Sequence, residues 1–109
     1  MEKVYNKLVR DKIPVILELK GIKAKYHKLS IEEYREALKT KLVEEANELL
    51  KAPTKDEMIE ELADIREVIG WICKCEDISE GDMLRRQHRK YIQKGGFLGR
   101  IFLESVEED

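Results

Sequence analysis

Aromatic side chains are scarce in this chain: 6% of its 109 residues, with one Trp, two Phe and four Tyr. That scarcity provides no run of stacking platforms for single-stranded nucleic acid. Together with abundant Glu, Lys, Leu and Ile it favours helices over strands. Neither sign of charge is in excess, since 21 Lys and Arg face 23 Asp and Glu, for a net charge of -2. A dedicated nucleic-acid binder carries a clear basic surplus, so no nucleic-acid partner is expected. No apolar run approaches the roughly 20 residues that a membrane span requires. Met1 to Arg10 carries charges throughout and has no apolar signal core. The expectation is a cytoplasmic protein with no membrane partner. Only two cysteines occur, Cys73 and Cys75, at a spacing that points them to different sides of a helix. No second Cys or His pair completes a zinc set, and reduced thiols fit the cytoplasm. Repeats, linkers and low-complexity tracts are also missing, which leaves one domain spanning 1–109. A chain this short buries a modest core, and small helical proteins often gain burial by pairing with themselves.

What is present reads as capped helices. Asp11 is placed to cap a short helix with Pro14 in its first turn and an apolar stripe of Ile13, Ile16 and Leu17, ended by Gly21. Residues 22–29 alternate weakly and predict a short strand. Ser30-Ile31-Glu32-Glu33 is a capping box opening a long helix that ends near Ala52, before Pro53. Thr54-Lys55-Asp56-Glu57 is a second box, opening a helix to about Glu76. The Pro53 turn is short, so these two helices should pack antiparallel. Ser79 begins a further helix through Lys94, stopped by Gly95-Gly96. Residues 97–106 read as extended and available to pair with 22–29. The expected fold is mainly α, an antiparallel helical bundle with a small two-stranded β element.

Helical phase singles out four carboxylates. On the first long helix Ile31, Tyr34, Leu38, Leu42, Ala46 and Leu49 form an apolar stripe. Glu45 falls inside it, and Glu48 sits at its edge one turn on. On the next helix Met58, Leu62, Ile65, Ile69, Ile72 and Cys73 form the stripe, with Glu61 beside it and Asp64 at its margin. When the hairpin closes, the four carboxylates can converge. A carboxylate beside a core is costly unless paired or metal-bound, and four together raise one another's pKa. An all-oxygen set selects a hard cation, and Mg²⁺ binds carboxylates alongside substrate phosphates. No His occupies these positions, which argues against a Glu-x-x-His di-iron site. The competing explanation is a pair of ordinary solvated acidic faces. Glu32, Glu33, Glu36, Glu57, Glu60 and Glu67 read that way.

Glu44-Glu45-Ala46-Asn47-Glu48, then twelve residues, then Glu61-Leu62-Ala63-Asp64 resembles the paired acidic signature of the MazG-like all-α nucleoside triphosphate pyrophosphohydrolases. That superfamily includes phosphoribosyl-ATP pyrophosphohydrolase and the dimeric dUTPases. The opening Tyr5-Asn6-Lys7-Leu8-Val9-Arg10-Asp11-Lys12-Ile13-Pro14 resembles a subgroup of short single-domain members. So do the closing Gly95-Gly96-Phe97 and Arg100-Ile101-Phe102-Leu103. The resemblance covers nearly the whole chain. It implies a MazG-like bundle that hydrolyses a nucleoside triphosphate to monophosphate and pyrophosphate, in a house-cleaning role. It implies Mg²⁺, with Mn²⁺ as its substitute, held by Glu45, Glu48, Glu61 and Asp64. Glu44 would support the cluster or orient water, and Glu45 would share in catalysis. It also implies a homodimer or homotetramer.

A bound triphosphate needs cations for the oxygens its metal leaves exposed. Lys7, Arg10 and Lys12 of the N-terminal motif are the leading candidates. Arg86, Arg89 and Lys94 on the last helix follow, unless they form a solvated face. Asn6 could read a base edge or hold backbone. Trp71 could stack on a base or pack in a subunit interface. Two other functions compete: phosphoribosyl-ATP pyrophosphohydrolase, with the same metal logic, and a non-catalytic helical interaction module.

Overall fold

The computed structural model describes residues 1–108 and is mainly helical. Its elements are α1 (Ile13–Leu19), α2 (Ile31–Lys51), α3 (Lys55–Cys75) and α4 (Glu80–Lys94). The chain divides into two compact units, Met1–Asp77 and Ile78–Asp109, and each is described by itself. No helix among the described residues is long and apolar enough to cross a membrane.

Local chemistry sets each helix end. Ser30 accepts the Glu33 N–H while the Glu33 carboxylate accepts the Ser30 N–H, so both halves of the box that opens α2 are made. Thr54 accepts the Glu57 N–H at the start of α3. Ser79 accepts the Asp82 N–H at the start of α4. Each such bond satisfies one of the donors that a helix start leaves unpaired. Asp11 does not cap α1: the cap position is Lys12, with no side-chain bond. The turn at 11–12 closes through backbone instead, as Ile13 N–H donates to the Arg10 carbonyl at 3.0 Å. At the other end Gly21 takes φ 76. The Ile22 and Gly21 N–H groups reach back to the Leu17 and Glu18 carbonyls. That pattern needs a left-handed residue, which glycine supplies at little cost.

α2 and α3 pack together as an antiparallel hairpin, joined by Ala52, Pro53 and Thr54. Arg35 near the start of α2 donates two hydrogen bonds, 2.7 and 2.8 Å, to the Glu76 carboxylate just past α3. This fork clasps the open end of the hairpin. It holds the Glu76 carboxyl below the usual carboxylate range, through the hydrogen bonds first and the guanidinium charge after them. A depressed folded pKa adds stability that is complete above the unfolded value and is lost as pH falls through the folded one. Arg35→Ala is therefore expected to lower the melting temperature at pH 7 while flattening the acid limb of its pH profile below about pH 4.3, the ordinary Glu value. Thermal melts of both proteins from pH 7 to pH 3 check this; parallel profiles would refute it.

The core is thin. Leu38, Val68 and Cys73 are its buried apolar residues, and none of the described side chains is completely enclosed. Tyr34, Leu42 and Leu49 of α2 are half-buried, as are Ile65, Ile69 and Ile72 of α3. The stripes are narrower than helical phase predicts. Ile31 is 71% exposed, and Ala46, Met58 and Leu62 are exposed as well. Phase identifies a face, but only contact with a partner buries it. Cys73 and Cys75 are not joined in a disulfide.

The two-stranded element expected from 22–29 and 97–106 is not found, since the described residues contain no strand. A ladder needs repeated pairing between two backbones. The backbone bonds in these segments are local closures, Ile22 N–H to the Leu17 carbonyl and Arg100 N–H to the Phe97 carbonyl. The second unit is α4 and the segment after it. Gly95 ends α4 at φ 82, and Asp82 pairs with Arg85 along the helix. No described residue of α4 is buried.

Candidate metal centre

Toward the connector end of the hairpin, Glu45 of α2 and Glu61 and Asp64 of α3 each present a carboxylate oxygen within 4.8 Å of the other two. Two of the three come from one helix at i and i+3, a spacing that puts side chains on one face. The third comes from the facing helix. Glu45 is the one buried charged residue among those described, at 8% exposure. Its position inside the apolar stripe is why: the hairpin closes over it beside Leu38 and Leu42.

Glu61 carries the tension of the site. Its Oε2 is shielded from solvent and has no hydrogen-bond partner among the described residues. Ionised carboxylates only accept hydrogen bonds, so Glu45 and Glu61 can meet there only through a shared proton or a cation. The proton alternative raises the Glu61 pKa to about 7. The leading cause is the hydrogen bond that protonated Glu61 makes with Glu45. Loss of water follows, and then the charges of Glu45, Asp64 and Glu48.

Cations approach from two sides. Lys41, one turn before Glu45 on α2, places Nζ 3.5 Å from Glu45 and 3.6 Å from Glu44. Lys7 lies 3.4 Å from Glu44. Arg10 donates to Asp64 Oδ1 at 2.9 Å and stands 3.7 Å from Glu67 Oε2. The N-terminal segment thus touches both helices, α2 through Lys7 and α3 through Arg10. Beyond Arg10, Glu67 Oε2 also accepts the Trp71 indole N–H at 2.8 Å. Lys74 sits 5.2 Å over the Trp71 ring.

Of the four expected metal ligands, the hairpin therefore gathers Glu45, Glu61 and Asp64. Glu48 is exposed on the rim and acts on Glu61 through charge alone. Glu44 is half-buried beside the trio and engaged by two lysines. Among the cations, Lys7 and Arg10 reach the cluster. Lys12 is exposed and makes no ion pair among the described residues. Asn6 is exposed in a left-handed turn at φ 46, a conformation Asn tolerates better than most residues. Arg86, Arg89 and Lys94 are exposed on α4 in the second unit. Sequence reasoning missed Lys41 and Glu67. Lys41 carried a usable signal, four residues before Glu45 on the same helix. Glu67, read there as an ordinary solvated carboxylate, carried one too in its spacing of four from Trp71, but its pairing with Arg10, 57 positions away (67 − 10), had no local signal.

The donor set suits a hard divalent cation: three carboxylates, no nitrogen or sulfur, and one shielded oxygen lacking a partner. No family model matches the chain, and neither curated proteins nor solved structures match it.

Proposed function

We propose that this chain is a Mg²⁺-dependent nucleoside triphosphate pyrophosphohydrolase of the MazG-like kind, acting in the cytoplasm in a house-cleaning role. One observation carries the reading: carboxylates from two helices converge on a point where Glu61 Oε2 is shielded and lacks a partner. Evolution seldom keeps a shielded acidic oxygen without a partner unless something binds it. Glu45, Glu61 and Asp64 would hold Mg²⁺, with Glu48 reaching in from the rim, and Mn²⁺ could replace it. The metal would offset the charge of the triphosphate and acidify a bound water. The chain's own residues do the rest. Lys7 and Arg10 already stand at the cluster's edge, where they can turn to phosphate oxygens, and Lys12 follows them in the same segment. Glu44, held by Lys7 and Lys41, is positioned to accept a proton from water. The exposed apolar side chains of the hairpin, Val43, Leu50, Ile59 and Leu62 among them, favour a homodimer or homotetramer.

The test is a panel of ribo- and deoxyribonucleoside triphosphates with phosphoribosyl-ATP, each incubated with Mg²⁺ and assayed for pyrophosphate. Release from at least one triphosphate is expected, with its loss in Glu45→Gln. Release from phosphoribosyl-ATP alone would select that substrate instead. No release from any member would leave a helical interaction module as the better description.

A further inference from the structure

Glu67 Oε2 is shared. It accepts the Trp71 indole N–H at 2.8 Å and faces Arg10 Nη1 at 3.7 Å. The same guanidinium donates through Nη2 to Asp64 Oδ1 at 2.9 Å. Asp64, Glu67 and Trp71 are three and four residues apart on α3 and so stack along one face. An unbroken chain of contacts therefore runs from the acidic trio through Arg10 and Glu67 to the protein's single tryptophan. Resting on the metal reading above, we infer that Arg10 is the resident counter-ion of the centre. It pairs with Asp64 in the metal-free protein and yields that carboxylate when a divalent cation enters. Glu67 then passes the exchange to Trp71.

Three observations support this. The Arg10–Asp64 pair is only half-sheltered, with the side chains 58% and 38% exposed. Such pairs are weak, and a divalent ion offers Asp64 twice the charge. Release of Asp64 does not require the segment to leave. Lys7 holds Glu44 independently, and the Arg10 carbonyl is fixed by the Ile13 N–H. Finally, the guanidinium has a second carboxylate within reach in Glu67, so its departure from Asp64 changes the charge felt at the oxygen that Trp71 bonds.

Competition for Asp64 means that Arg10 weakens metal binding, and linkage makes the effect reciprocal. Isothermal titration with Mg²⁺ alone, without nucleotide, measures it in the wild type, R10A, R10Q and R10K. Circular dichroism confirms the fold of each. R10A and R10Q are expected to bind Mg²⁺ about two- to fivefold more tightly, the range an exposed ion pair commands. R10K keeps the charge and is expected to stay near the wild-type value. In the wild type, Mg²⁺ shifts Trp71 emission along the same binding curve, and in R10A most of that shift disappears. Equal or weaker Mg²⁺ binding in both R10A and R10Q overturns the inference, as does a Trp71 emission that ignores bound Mg²⁺ in the wild type. If triphosphates are hydrolysed while R10A binds Mg²⁺ as the wild type does, this inference alone fails. If R10A tightens binding but no triphosphate is cleaved, the catalytic reading alone fails. A wild type that binds no Mg²⁺ overturns both.

Discussion

Glu61→Gln is expected to cost turnover about two to three orders of magnitude, the scale on which one preorganised electrostatic group acts in catalysis. The same change is expected to make the metal-free protein more stable above pH 7. Both effects come from one carboxyl. As the proposed metal ligand, Glu61 would supply a charge that glutamine lacks. As part of the folded metal-free protein, it faces Glu45, Asp64 and Glu48, and its pKa rises from 4.5 to about 7. The folded state therefore keeps a proton that the unfolded state releases between those two values. Where the folded state binds more protons, stability falls as pH rises. The contribution is full below about pH 4.5, declines to about pH 7 and is absent above. The proposed Mg²⁺, added above pH 7, is expected to restore stability by mass action. Glutamine is neutral throughout, so the variant's profile over this window is expected to be flat and its response to Mg²⁺ reduced. Steady-state kinetics at saturating Mg²⁺, with melting temperatures from pH 4.5 to pH 8, would decide. Wild-type turnover in E61Q would refute the catalytic half. A wild-type pH slope in E61Q would refute the electrostatic half.

The second large effect is on stability. Leu38 is only 4% exposed and belongs to a very small set of buried residues. Truncating a buried leucine to alanine costs about 2–5 kcal/mol, from lost transfer energy and the cavity left behind. A small domain has only about 5–15 kcal/mol in total. Leu38→Ala is thus expected to lower the melting temperature by about 8–40 °C, at about 4–8 °C per kcal/mol for a small domain. The hairpin contributes few other buried side chains to compensate. Ile31, on the same helix, is 71% exposed and serves as the control, with a change within about 0.5 kcal/mol expected. Calorimetry on both variants tests the pair; similar melting temperatures would show that Leu38 is not at the centre of the core.

The helices were legible because their punctuation is chemical and local. Ser30, Thr54 and Ser79 each cap as their types and spacing predict. Pro53 and Gly95 mark the ends beside them. Glu45 was legible for a related reason, since its phase put it within an apolar stripe. What failed depended on partners. Ile31 has the right phase but meets nothing that buries it. Residues 22–29 alternate, yet alternation supplies no second backbone to bond. Asp11 is a good capping residue, but the turn at 11–12 moved the cap to Lys12. The pairing of Arg10 with Asp64 spans 54 positions, and no local pattern encodes it. Helical phase named the four carboxylates and set both Glu48 and Asp64 at the margin; only the folded hairpin brings Asp64 in with Glu45 and Glu61 and leaves Glu48 on the rim and Glu44 between its lysines.

The Ala52–Thr54 connector has a kinetic consequence. Because it is so short, Glu45 and Glu61 are only 16 positions apart (61 − 45). Closing a loop of that size carries little entropy cost and is fast compared with most folding steps. The opposed carboxylates are therefore expected to meet while the hairpin is zipping, and their repulsion to slow folding itself. Lowering the pH through the Glu61 range, or adding the proposed Mg²⁺, is then expected to show chiefly as faster refolding, with the unfolding rate little changed.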